Sequence, residues 1–540
     1  MFEKILIANR SEVAARVART CKRLGVTTVA IHTDGDVDAV HVQACDEAVR
    51  LPAADLVSSY LSVDAIVNAA KQCGADAVHP GYGLAAHDVE LARAVIAAGM
   101  TFIGPSPEAM SLAGDRVRVR ALCALADVRA VPGTAHSVDT LRAAYEATEA
   151  LGYPIVVKPL VPRDALGVRF ADDDDELEEA FEGARAAARE GGGDARVIIE
   201  HAIERPRVVE IEVLADAGPP ATPPVVNVPA LAIAANADAD AAQQSAPATD
   251  ADAVLQPEAE PVDASAGAVP ALDVLGDADA SLEDAPSGSS AAAETAARAA
   301  AERGAAEIVA IGDRECSVQR KLRRIVSESP SAALNALSDG DFVREALNEA
   351  AVRLVRAAQV VGSATVTFLL DSDGRYHALG LSVGLSVDHA LHEMCTGLDL
   401  VEMQIRIAAG ESMPAEVLAA STTGHAMEAH LGWDVPGAAP EGELTELRFP
   451  PVGAGKARIE TGLAQGAQVL PGFDALVAKI TAFGPTRHQA GLALDRVVAE
   501  TVVAPFATNA ALVRRVLGHE AFRAGQYDTT SVERMIQQRI

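Results

Sequence analysis

Apolar, strand-like segments alternate with helix-like segments along residues 1–112. The segment EKILIANR (3–10) has the pattern of a buried strand, a helical stretch runs from a Ser11 cap to a Gly25 stop, and VTTVAIH (26–32) again has the pattern of a strand. The alternation continues through helix-like 60–74, strand-like ADAVHPGYG (75–83), helix-like 88–99 and strand-like TFIG (101–104). This order predicts a doubly wound, parallel α/β domain over 1–112.

A second α/β unit follows in the same pattern. Helices are predicted around 106–127 and over 138–151, followed by the strand YPIVVKPL (153–160), an acidic helix over 172–189 and the strand RVIIEHAI (196–203). A further strand, RVVEIEVLAD, spans 207–216. These elements predict a small second α/β unit, after which the chain changes in character.

The segment from 217 to about 304 differs from the rest of the chain. It is rich in Ala, Pro, Asp, Ser and Gly, and it has no Lys or Arg before Arg298. Such a composition buries too little apolar surface to offset the entropy of ordering, so we expect a disordered acidic insertion. A tolerated expansion of a surface loop and a tether for a partner both fit this composition.

Composition narrows the class of protein. The chain has 540 residues, a formal charge of -31 and 49% hydrophobic residues, which indicates a soluble, multi-domain protein that nucleic-acid phosphates would repel. No apolar run is long enough for a membrane span. The six cysteines are scattered without a paired spacing, and no charged-then-apolar leader precedes the first strand, so we expect a reducing, cytoplasmic location.

Several segments, in this order, resemble biotin carboxylase, the ATP-grasp subunit of acyl-CoA carboxylases that uses Mg-ATP and bicarbonate to carboxylate biotin. They are MFEKILIANRSEVAARVARTCKRLGV, SYLSVDAIVNAA, ADAVHPGYG, FIGPSPEAMSLAGDR, GYPIVVKP, PRVVEIEVLAD, DRECSVQRK, TGLDLVEMQIRIAAG and GHAMEAH. The resemblance implies an α/β and α+β fold in three parts. These are an N-terminal doubly wound domain over 1–112 that precedes the ATP-grasp domain, an ATP-grasp domain over 113–410 with a small lid over about 131–203, and a C-terminal domain of the biotin carboxylase type over 411–540.

The phosphate-binding loop departs from this resemblance. Where the family has a run of glycines whose backbone N–H groups cradle phosphates, this chain reads KPLVPRDALGVRF (158–170). Lys158, Gly167 and Arg169 stay in register, but the glycine run is replaced by Val161, Pro162, Arg163, Asp164 and Ala165. Proline removes a donor and Asp164 repels polyphosphate, so we expect the loop not to cradle ATP.

The resemblance also implies a residual nucleotide pocket. Arg116 stands where the family has a nucleotide-contacting lysine, Glu200 and the backbone of Ile203 remain on the adenine side, and His201 replaces a lysine. The pocket would consist of Arg116, Lys158, Gly167, Glu200 and Ile203, and it would take ATP with weak or absent magnesium. An alternative is that Lys158 and Glu200 form only an ion pair or solvated strand ends.

The positions that bind magnesium and bicarbonate in the family carry other side chains in this sequence. The resemblance places two magnesium-binding glutamates, an asparagine, a bicarbonate-binding arginine and a general-base glutamate at Thr367, Gly380, Ser382, Gly384 and Asp388. Magnesium needs hard oxygen ligands, usually carboxylates, so we expect no metal at Thr367, Gly380 and Ser382. Asp388 alone could accept a proton, although its shorter side chain favours a role as the cap of the helix that begins HALHEM.

Other positions of the resembled site change in the same way. Leu322 and Val208 replace histidines, Arg324 replaces the bicarbonate-site lysine, and His430 replaces the arginine that steadies the biotin enolate. A neutral imidazole at pH 7 would not replace that fixed positive charge. Cys316, Gln319 and Glu210 remain.

None of the lysines has the setting of a biotinylated turn, so we expect no covalent biotin on this chain. Lys456 and Lys479 lack flanking methionines, and Lys479 is interpreted as a strand-edge residue. His79 is interpreted as a residue at a strand-to-turn transition, and no His and Cys spacing suggests zinc.

The preferred hypothesis is a catalytically silent biotin carboxylase-like subunit that scaffolds or regulates an acyl-CoA carboxylase. Its partners would be an active biotin carboxylase, a biotin carboxyl carrier and a carboxyltransferase, in a homo- or hetero-oligomer. One alternative is an active carboxylase whose site is rebuilt from Arg163, Arg169, Arg324 and Asp388. Another is an adenine-nucleotide sensor without turnover.

Overall fold

The computed structural model describes residues 1–52, 55–161, 167–192, 194–218, 306–433, 440–453, 455–469 and 476–537. Residues 1–219 and 306–540 form one compact unit. The predicted acidic insertion over 217–304 lies outside the described residues, except for its first two positions. Among the helices of the described ranges, none is long and apolar enough to cross a membrane.

The N-terminal part is a five-stranded parallel sheet of order β3-β2-β1-β4-β5, which confirms the doubly wound prediction. The strands are β1 Lys4–Ile7, β2 Thr27–His32, β3 Glu47–Arg50, β4 Ala77–His79 and β5 Thr101–Phe102. The helices are α1 Ser11–Leu24, α2 Val40–Ala44, α3 Val63–Cys73 and α4 Val89–Ala97.

The first helix ends as predicted but begins differently. Gly25 adopts the left-handed conformation, with φ of 73°, that a helix C-cap favours. The N-cap is Arg10, and Ser11 is the first helical residue, so the prediction of a Ser11 cap is wrong. Arg10 instead uses its side chain in a buried ion pair with Asp36, 3.2 Å from Nε to Oδ2.

A small sheet follows, built on a core of its own. Strands β7, β6 and β8 pair antiparallel, and Val157, Phe181 and Ile199 are fully buried between them and the flanking helices. The elements of this unit are α7 Leu141–Leu151, β6 Ile155–Pro159, β7 Arg169–Ala171, α8 Asp174–Gly192 and β8 Val197–His201, and they follow α5 Pro107–Ala113 and α6 Arg116–Leu125, which pack on the main hydrophobic core. This unit occupies the place of the predicted lid.

The centre of the protein is an eight-stranded antiparallel sheet of order β13-β12-β9-β10-β11-β14-β19-β17. It runs across the predicted boundary at 410, because β14, β17 and β19 extend strands that precede that boundary. Its strands are β9 Arg207–Ala215, β10 Ile308–Arg320, β11 Arg323–Ser329, β12 Gly362–Leu370, β13 Tyr376–Val383, β14 His425–Gly432, β17 Ala457–Glu460 and β19 Leu476–Gly484.

Short strands and helices complete the C-terminal half. The remaining strands are β15 Gly442–Glu443, β16 Glu446–Arg448, β18 Gln468–Val469 and β20 Val502–Ala504. The remaining helices are α9 Ala332–Ala336, α10 Gly340–Ala357, α11 His389–Thr396, α12 Leu400–Ala408, α13 Ala415–Leu418, α14 Arg487–Glu500, α15 Ala510–Gly518, α16 Glu520–Arg523 and α17 Ser531–Gln537.

The period of two along each strand gives the central sheet one apolar face and one polar face. On β9, Val209 and Ile211 point into the main hydrophobic core, where they pack with Leu347 of α10. On β19, Ile480 packs with Leu494 of α14. The intervening residues of the same strands point to the other face, and that face carries the candidate site.

Candidate functional site

Charged and hydroxyl side chains cover the polar face of the central sheet across six neighbouring strands. They come from the alternate positions that the apolar core leaves free. They are Thr365 and Thr367 on β12, Glu210 and Glu212 on β9, Arg314 and Cys316 on β10, Arg324 on β11, Glu428 and His430 on β14, and Lys479 and Thr481 on β19.

Arg324 joins two of these carboxylates. Its Nη1 donates to Oδ2 of Asp388, and its Nη2 donates to Oε1 of Glu210. Both carboxylates are buried, whereas 29% of the Arg324 side chain is exposed. Burial raises the pKa of Asp388, but the charges of Arg324 and His430 outweigh it and hold that pKa well below its usual value. The guanidinium that stands at the resembled bicarbonate position is therefore already paired with anions of the chain itself.

Asp388 is the residue before helix α11, yet it does not cap that helix. It occupies the N-cap position without a side-chain hydrogen bond to the helix backbone. Its carboxylate instead faces Arg324 and His430, with Oδ1 2.9 Å from His430 Nε2. The prediction of a capping role is wrong, because two cations on the sheet attract the carboxylate more strongly than the N–H groups of an eight-residue helix.

His430 is charged at neutral pH. Its Nε2 lies 2.9 Å from Asp388 Oδ1 and 3.2 Å from Glu428 Oε1. Burial lowers the pKa of the imidazole, but the two carboxylates outweigh burial and raise it to about 9. The expectation of a neutral imidazole at this position is wrong, and the positive charge expected of the family's arginine persists here inside an ion-pair network.

Arg314 binds the second oxygen of Glu210, so it belongs to the same ion-pair network as Arg324, Asp388 and His430. Its Nε lies 2.8 Å from Glu210 Oε2, its Nη1 lies 2.7 Å from Glu212 Oε2, and its Nη2 lies 3.0 Å from Thr365 Oγ1. The side chain is only 1% exposed. Ser363 Oγ lies 2.6 Å from the other oxygen of Glu212. A buried guanidinium needs such complete pairing, so this arrangement fixes the positions of both glutamates.

The residues present do not fit magnesium at the resembled metal positions. Thr367 pairs with Gly380 across β12 and β13, and Thr365 pairs with Ser382, so the expected positions lie on the polar face but carry no carboxylate. All four oxygens of the neighbouring Glu210 and Glu212 accept hydrogen bonds from this chain. A magnesium ion would have to displace arginine from them.

Two buried groups of three side chains have ligand atoms within 4.8 Å of one another: Glu210, Cys316 and Asp388, and Asp388, Glu428 and His430. In the first group, burial raises the pKa of the Cys316 thiol above its usual value, so no thiolate is available at neutral pH. In the second, the proton on His430 lies between the two carboxylates. Both groups therefore work as ion-pair clusters.

Two charged residues of the predicted nucleotide pocket, Lys158 and Glu200, pair with each other. Lys158 Nζ bonds Glu200 Oε2, and Arg120 Nη1 lies 3.0 Å from Glu200 Oε1. Burial opposes the charge on Glu200, but Lys158 and Arg120 outweigh burial and lower its pKa. Arg116 donates from Nε to the carbonyl of Pro159 at 3.0 Å. Of the two interpretations of Lys158 and Glu200, the ion pair is the one that the geometry supports.

Gly167 has a structural reason to be glycine. Its φ is 80°, and an added Cβ would lie 2.7 Å from Cγ of Pro159. Ile203 is half-buried just after β8. Arg169 is exposed and donates to the carbonyl of Val168, 3.0 Å away. The loop residues Pro162, Arg163, Asp164 and Ala165, on which the loop prediction rests, lie outside the described residues.

Lys479 is fully buried, so its interpretation as a strand-edge residue is wrong. Strand β19 lies between β14 and β17, and Lys479 Nζ lies 3.0 Å from Glu460 Oε2 and 2.6 Å from the carbonyl of Val387. Nζ also lies 4.9 Å from the centre of the Tyr82 ring, in the turn after β4. This cation therefore ties the N-terminal domain, β17 and the residue before Asp388 together.

Other members of the site are placed without joining the network. Leu322 lies in the turn between β10 and β11 with 41% of its surface exposed. Val208 is buried on β9, and Gln319 donates to the carbonyl of Cys316 at 3.1 Å. Gly384, with φ of 98°, donates its N–H to the carbonyl of Ser363 at 2.8 Å. His79 is the last residue of β4, and its Nδ1 accepts the Gly81 N–H at 3.0 Å.

Sequence reasoning missed Arg314, Glu212, Glu428 and Arg120. Glu212 and Glu428 lie between apolar residues of their strands, and this alternation is a signal that could have placed them on one polar face. Arg314 lies between Asp313 and Glu315, so the same alternation does not single it out. Arg120 carries no such signal, because an arginine on a helix is ordinarily solvent-exposed. Its partners at Val131, Gly133 and Thr134 become visible only in the folded chain.

A doubly wound domain, a small lid-like sheet and a central sheet with a polar face define a three-part protein of the ATP-grasp type. Family models match these parts in order. The biotin carboxylase N-terminal domain matches residues 1–110, the carbamoyl-phosphate synthase L chain ATP binding domain matches 115–222 and 302–416, and the biotin carboxylase C-terminal domain matches 436–534. The chain belongs to the biotin carboxylase family.

Individual relatives agree with this assignment. A biotin carboxylase of Halalkalibacterium halodurans is 29% identical over 98% of this chain and 97% of its own length. The mitochondrial propionyl-CoA carboxylase alpha chain of Homo sapiens is 30% identical over 98% of this chain, which spans 60% of that longer protein. The biotin carboxylase domain of 2-oxoglutarate carboxylase from Hydrogenobacter thermophilus, solved as a dimer with MgADP, ADP and bicarbonate, is similar with a TM-score of 0.79 and 26% identity, covering 99% of this chain and 98% of that domain.

Proposed function

We propose that this chain is a catalytically silent biotin carboxylase-type subunit that scaffolds or regulates an acyl-CoA carboxylase. The observation that carries the proposal is the self-paired polar face of the central sheet. Arg324 and His430 are occupied by Asp388, Glu210 and Glu428, and no carboxylate stands at the resembled metal positions. The chain keeps the family's frame and replaces the groups that would hold magnesium and bicarbonate.

The physical cost of activating this site supports the proposal. A substrate anion that took the place of Asp388 or Glu210 at Arg324 would leave that carboxylate buried without this partner. Breaking a buried ion pair by removing one partner typically costs about 3–5 kcal/mol. The same cost applies to magnesium at Glu210 or Glu212, because Arg314 would lose its partners.

Magnesium dependence of nucleotide binding tests the metal part of the proposal. Isothermal titration of ATP into the protein, with magnesium and with EDTA, should give the same affinity or no binding in both. An affinity that requires magnesium would contradict the proposal, since it demands metal ligands that this site lacks. The biotin carboxylase of Halalkalibacterium halodurans, titrated under the same conditions, is the reference.

A nucleotide sensor without turnover is the second candidate. It is favoured by Lys158, which pairs with Glu200 and lies close enough to Arg116 for the two cations to affect each other. A Lys158→Met variant should lose ATP binding, whereas Arg142→Met, which removes an exposed cation on α7, should keep it. If the wild-type protein does not bind ATP, the sensor is excluded and the scaffold remains.

Association with carboxylase subunits tests the scaffold part. The expected partners are an active biotin carboxylase, a biotin carboxyl carrier and a carboxyltransferase, and this chain itself should carry no biotin. Tagged chain isolated from its own cells at native abundance should bring these subunits with it, and avidin should detect biotin on the carrier alone. Recovery of the chain as a monomer without carboxylase subunits would contradict the scaffold role.

An active carboxylase with a rebuilt site is the third candidate. It requires Arg324 and Asp388 to act on substrate, although the two side chains pair with each other. An Asp388→Ala variant that stays folded and loses a biotin-dependent turnover present in the wild type would support this candidate.

A further inference from the structure

A cleft of about 540 Å³ opens on the protein surface where side chains of α1, α11 and β17 meet. Four of the side chains that line it are arginines and two are carboxylates, so the lining has a surplus of two positive charges. They are Arg16, Arg19, Arg23 and Arg458, and Glu393 and Asp399. This cleft is distinct from the site on the polar face, whose arginines are Arg314 and Arg324.

The charges that reach solvent at the cleft are positive. The side chains of Arg19 and Arg23 are 55% and 54% exposed, whereas those of Glu393 and Asp399 are 5% and 18% exposed. The chain as a whole carries a formal charge of -31, so this basic cleft lies on an otherwise acidic protein. A partner that presents carboxylates would be attracted here, although the protein as a whole repels it.

The arginines compete for too few carboxylates. Oε1 of the buried Glu460 lies 3.3 Å from Arg19 Nη2 and also bonds Arg458, while its Oε2 lies 3.0 Å from Lys479 Nζ. Nε of Arg16 lies 3.6 Å from the same Oε1 and is buried without a hydrogen-bond partner. Among the ion pairs of the described residues, Arg19 has this shared one alone. Most of its five N–H groups therefore remain for a partner.

The spacing of the arginines favours a polypeptide over a small anion. Arg16, Arg19 and Arg23 are three and four residues apart, so they share one face of α1. Arg19 and Arg23 are separated by about 6 Å along the helix axis. Carboxylates one turn apart on a helix, or at alternate positions of an extended segment, have a similar separation of about 6–7 Å. A small anion supplies its charge at one point only.

Apolar side chains lie among the charged ones. Met394, Leu398 and Ile459 also line the cleft, and Met394 and Ile459 are half-buried. Apolar surface beside arginine is typical of the centre of a protein–protein interface. The occupant that fits is a segment with an apolar side chain between two carboxylates.

A second copy of this chain does not fit the cleft. A two-fold contact centred here places the same surface against itself, so Arg19 and Arg23 would face the arginines of the other copy. Like charges brought together in an interface disfavour association. The partner is therefore a different protein.

Resting on the function proposed above, we infer that the cleft between α1 and β17 is the docking surface for an acidic segment of another subunit of the carboxylase complex. Arg19 and Arg23 bind two carboxylates of that segment, and its apolar side chain packs on Met394 and Ile459. Charge at these two arginines thus determines which subunit the chain accepts.

Charge reversal tests the surface. Tagged wild type, Arg19→Glu with Arg23→Glu, and the control pair Arg93→Glu with Arg142→Glu are isolated from the protein's own cells, and bound carboxylase subunits are quantified by mass spectrometry. The control arginines are exposed and pair with a glutamate on their own helix. The first pair should reduce the bound subunit at least about tenfold, and the control pair should not. If the first pair does not fold, Arg19→Gln with Arg23→Gln decides in the same way.

Cross-linking identifies the occupant. In an Arg19→Lys, Arg23→Lys variant, a carbodiimide condenses a lysine amine with a carboxylate that touches it, forming an amide while the carbodiimide takes up the water as a urea. The introduced lysines should link to Asp or Glu of the bound subunit. Links only to a second copy of this chain would overturn the inference.

Other outcomes separate the inference from the proposed function. If the folded Arg19→Glu, Arg23→Glu protein keeps its subunits, the scaffold stands and this surface falls; stabilisation of the wild type by pyrophosphate over chloride, lost in that variant, would then assign the cleft to a small anion. If the wild type turns over ATP while charge reversal releases the subunit, the silent subunit falls and the surface stands. If the wild type brings no subunit with it, both fall.

Discussion

The charge on His430 makes the stability of the protein depend on pH in a defined direction. The two neighbouring carboxylates raise the pKa of His430 to about 9, against about 6.5 for an unfolded histidine. A group whose pKa is higher in the folded state stabilises that state below the unfolded pKa, and it loses this contribution as the pH rises through the folded pKa. The protein should therefore lose stability between about pH 6.5 and pH 9.

The size of the effect follows from the two pKa values. The difference corresponds to a maximum of about 3 kcal/mol, of which about 2 kcal/mol remains at pH 7.5 and less than about 0.5 kcal/mol at pH 9. The lowered pKa of Asp388 reports the same pairing from the other partner, so the two contributions must not be added.

Chemical denaturation of wild type and His430→Gln at pH 6, 7.5 and 9 isolates this contribution. Lysine, cysteine and tyrosine side chains also titrate toward pH 9, but their effects cancel in the difference between the two proteins. The difference in free energy of unfolding should shrink by about 3 kcal/mol from pH 6 to pH 9. A difference that stays constant over this range would refute the reasoning, because His430 would then be neutral throughout.

Three further substitutions test other parts of the network. Asp388→Asn should lower the free energy of unfolding by about 1.5–3 kcal/mol in urea denaturation, since Arg324 and His430 each lose one carboxylate partner and keep the other, and a loss below about 0.5 kcal/mol would contradict the ion-pair account. Lys479→Met should cost a similar amount because Glu460 loses one of its cations while Arg458 still pairs with it, whereas Lys456→Met, at an exposed position, should change stability by less than about 0.5 kcal/mol. Lys158→Met should cost about as much as Lys479→Met, because Arg120 still pairs with Glu200 as Arg458 does with Glu460; a loss confined to one of the two variants would contradict this comparison.

The order and type of the secondary-structure elements could be predicted from the sequence, because they follow from the spacing of apolar residues. The alternation of strand-like and helix-like segments gave the parallel N-terminal sheet, and strand 207–216 appears as β9 at Arg207–Ala215. The predicted boundary at 410 could not show that the central sheet continues into the C-terminal part. Pairing between strands that are distant in the sequence depends on tertiary packing, and the local sequence carries no signal for it.

The site was harder to predict because its chemistry depends on which charges meet. The absence of carboxylates at Thr367, Gly380 and Ser382 could be recognised from the sequence, since it depends only on residue type. The partners of Asp388 and His430 could not, because a helix cap and a neutral histidine are the usual outcomes for those residue types. Burial beside Arg324 and Glu428 reversed both expectations.

We proposed above that this member of the biotin carboxylase family does not turn over ATP. The most direct test of this proposal is ADP release by the purified protein with magnesium, ATP, bicarbonate and free biotin, run beside the biotin carboxylase of Halalkalibacterium halodurans. We expect no biotin-dependent release of ADP above the background of an enzyme-free control, at a protein concentration at which ADP release by the reference enzyme is readily measured. Biotin-dependent release that scales with the concentration of this protein would contradict it.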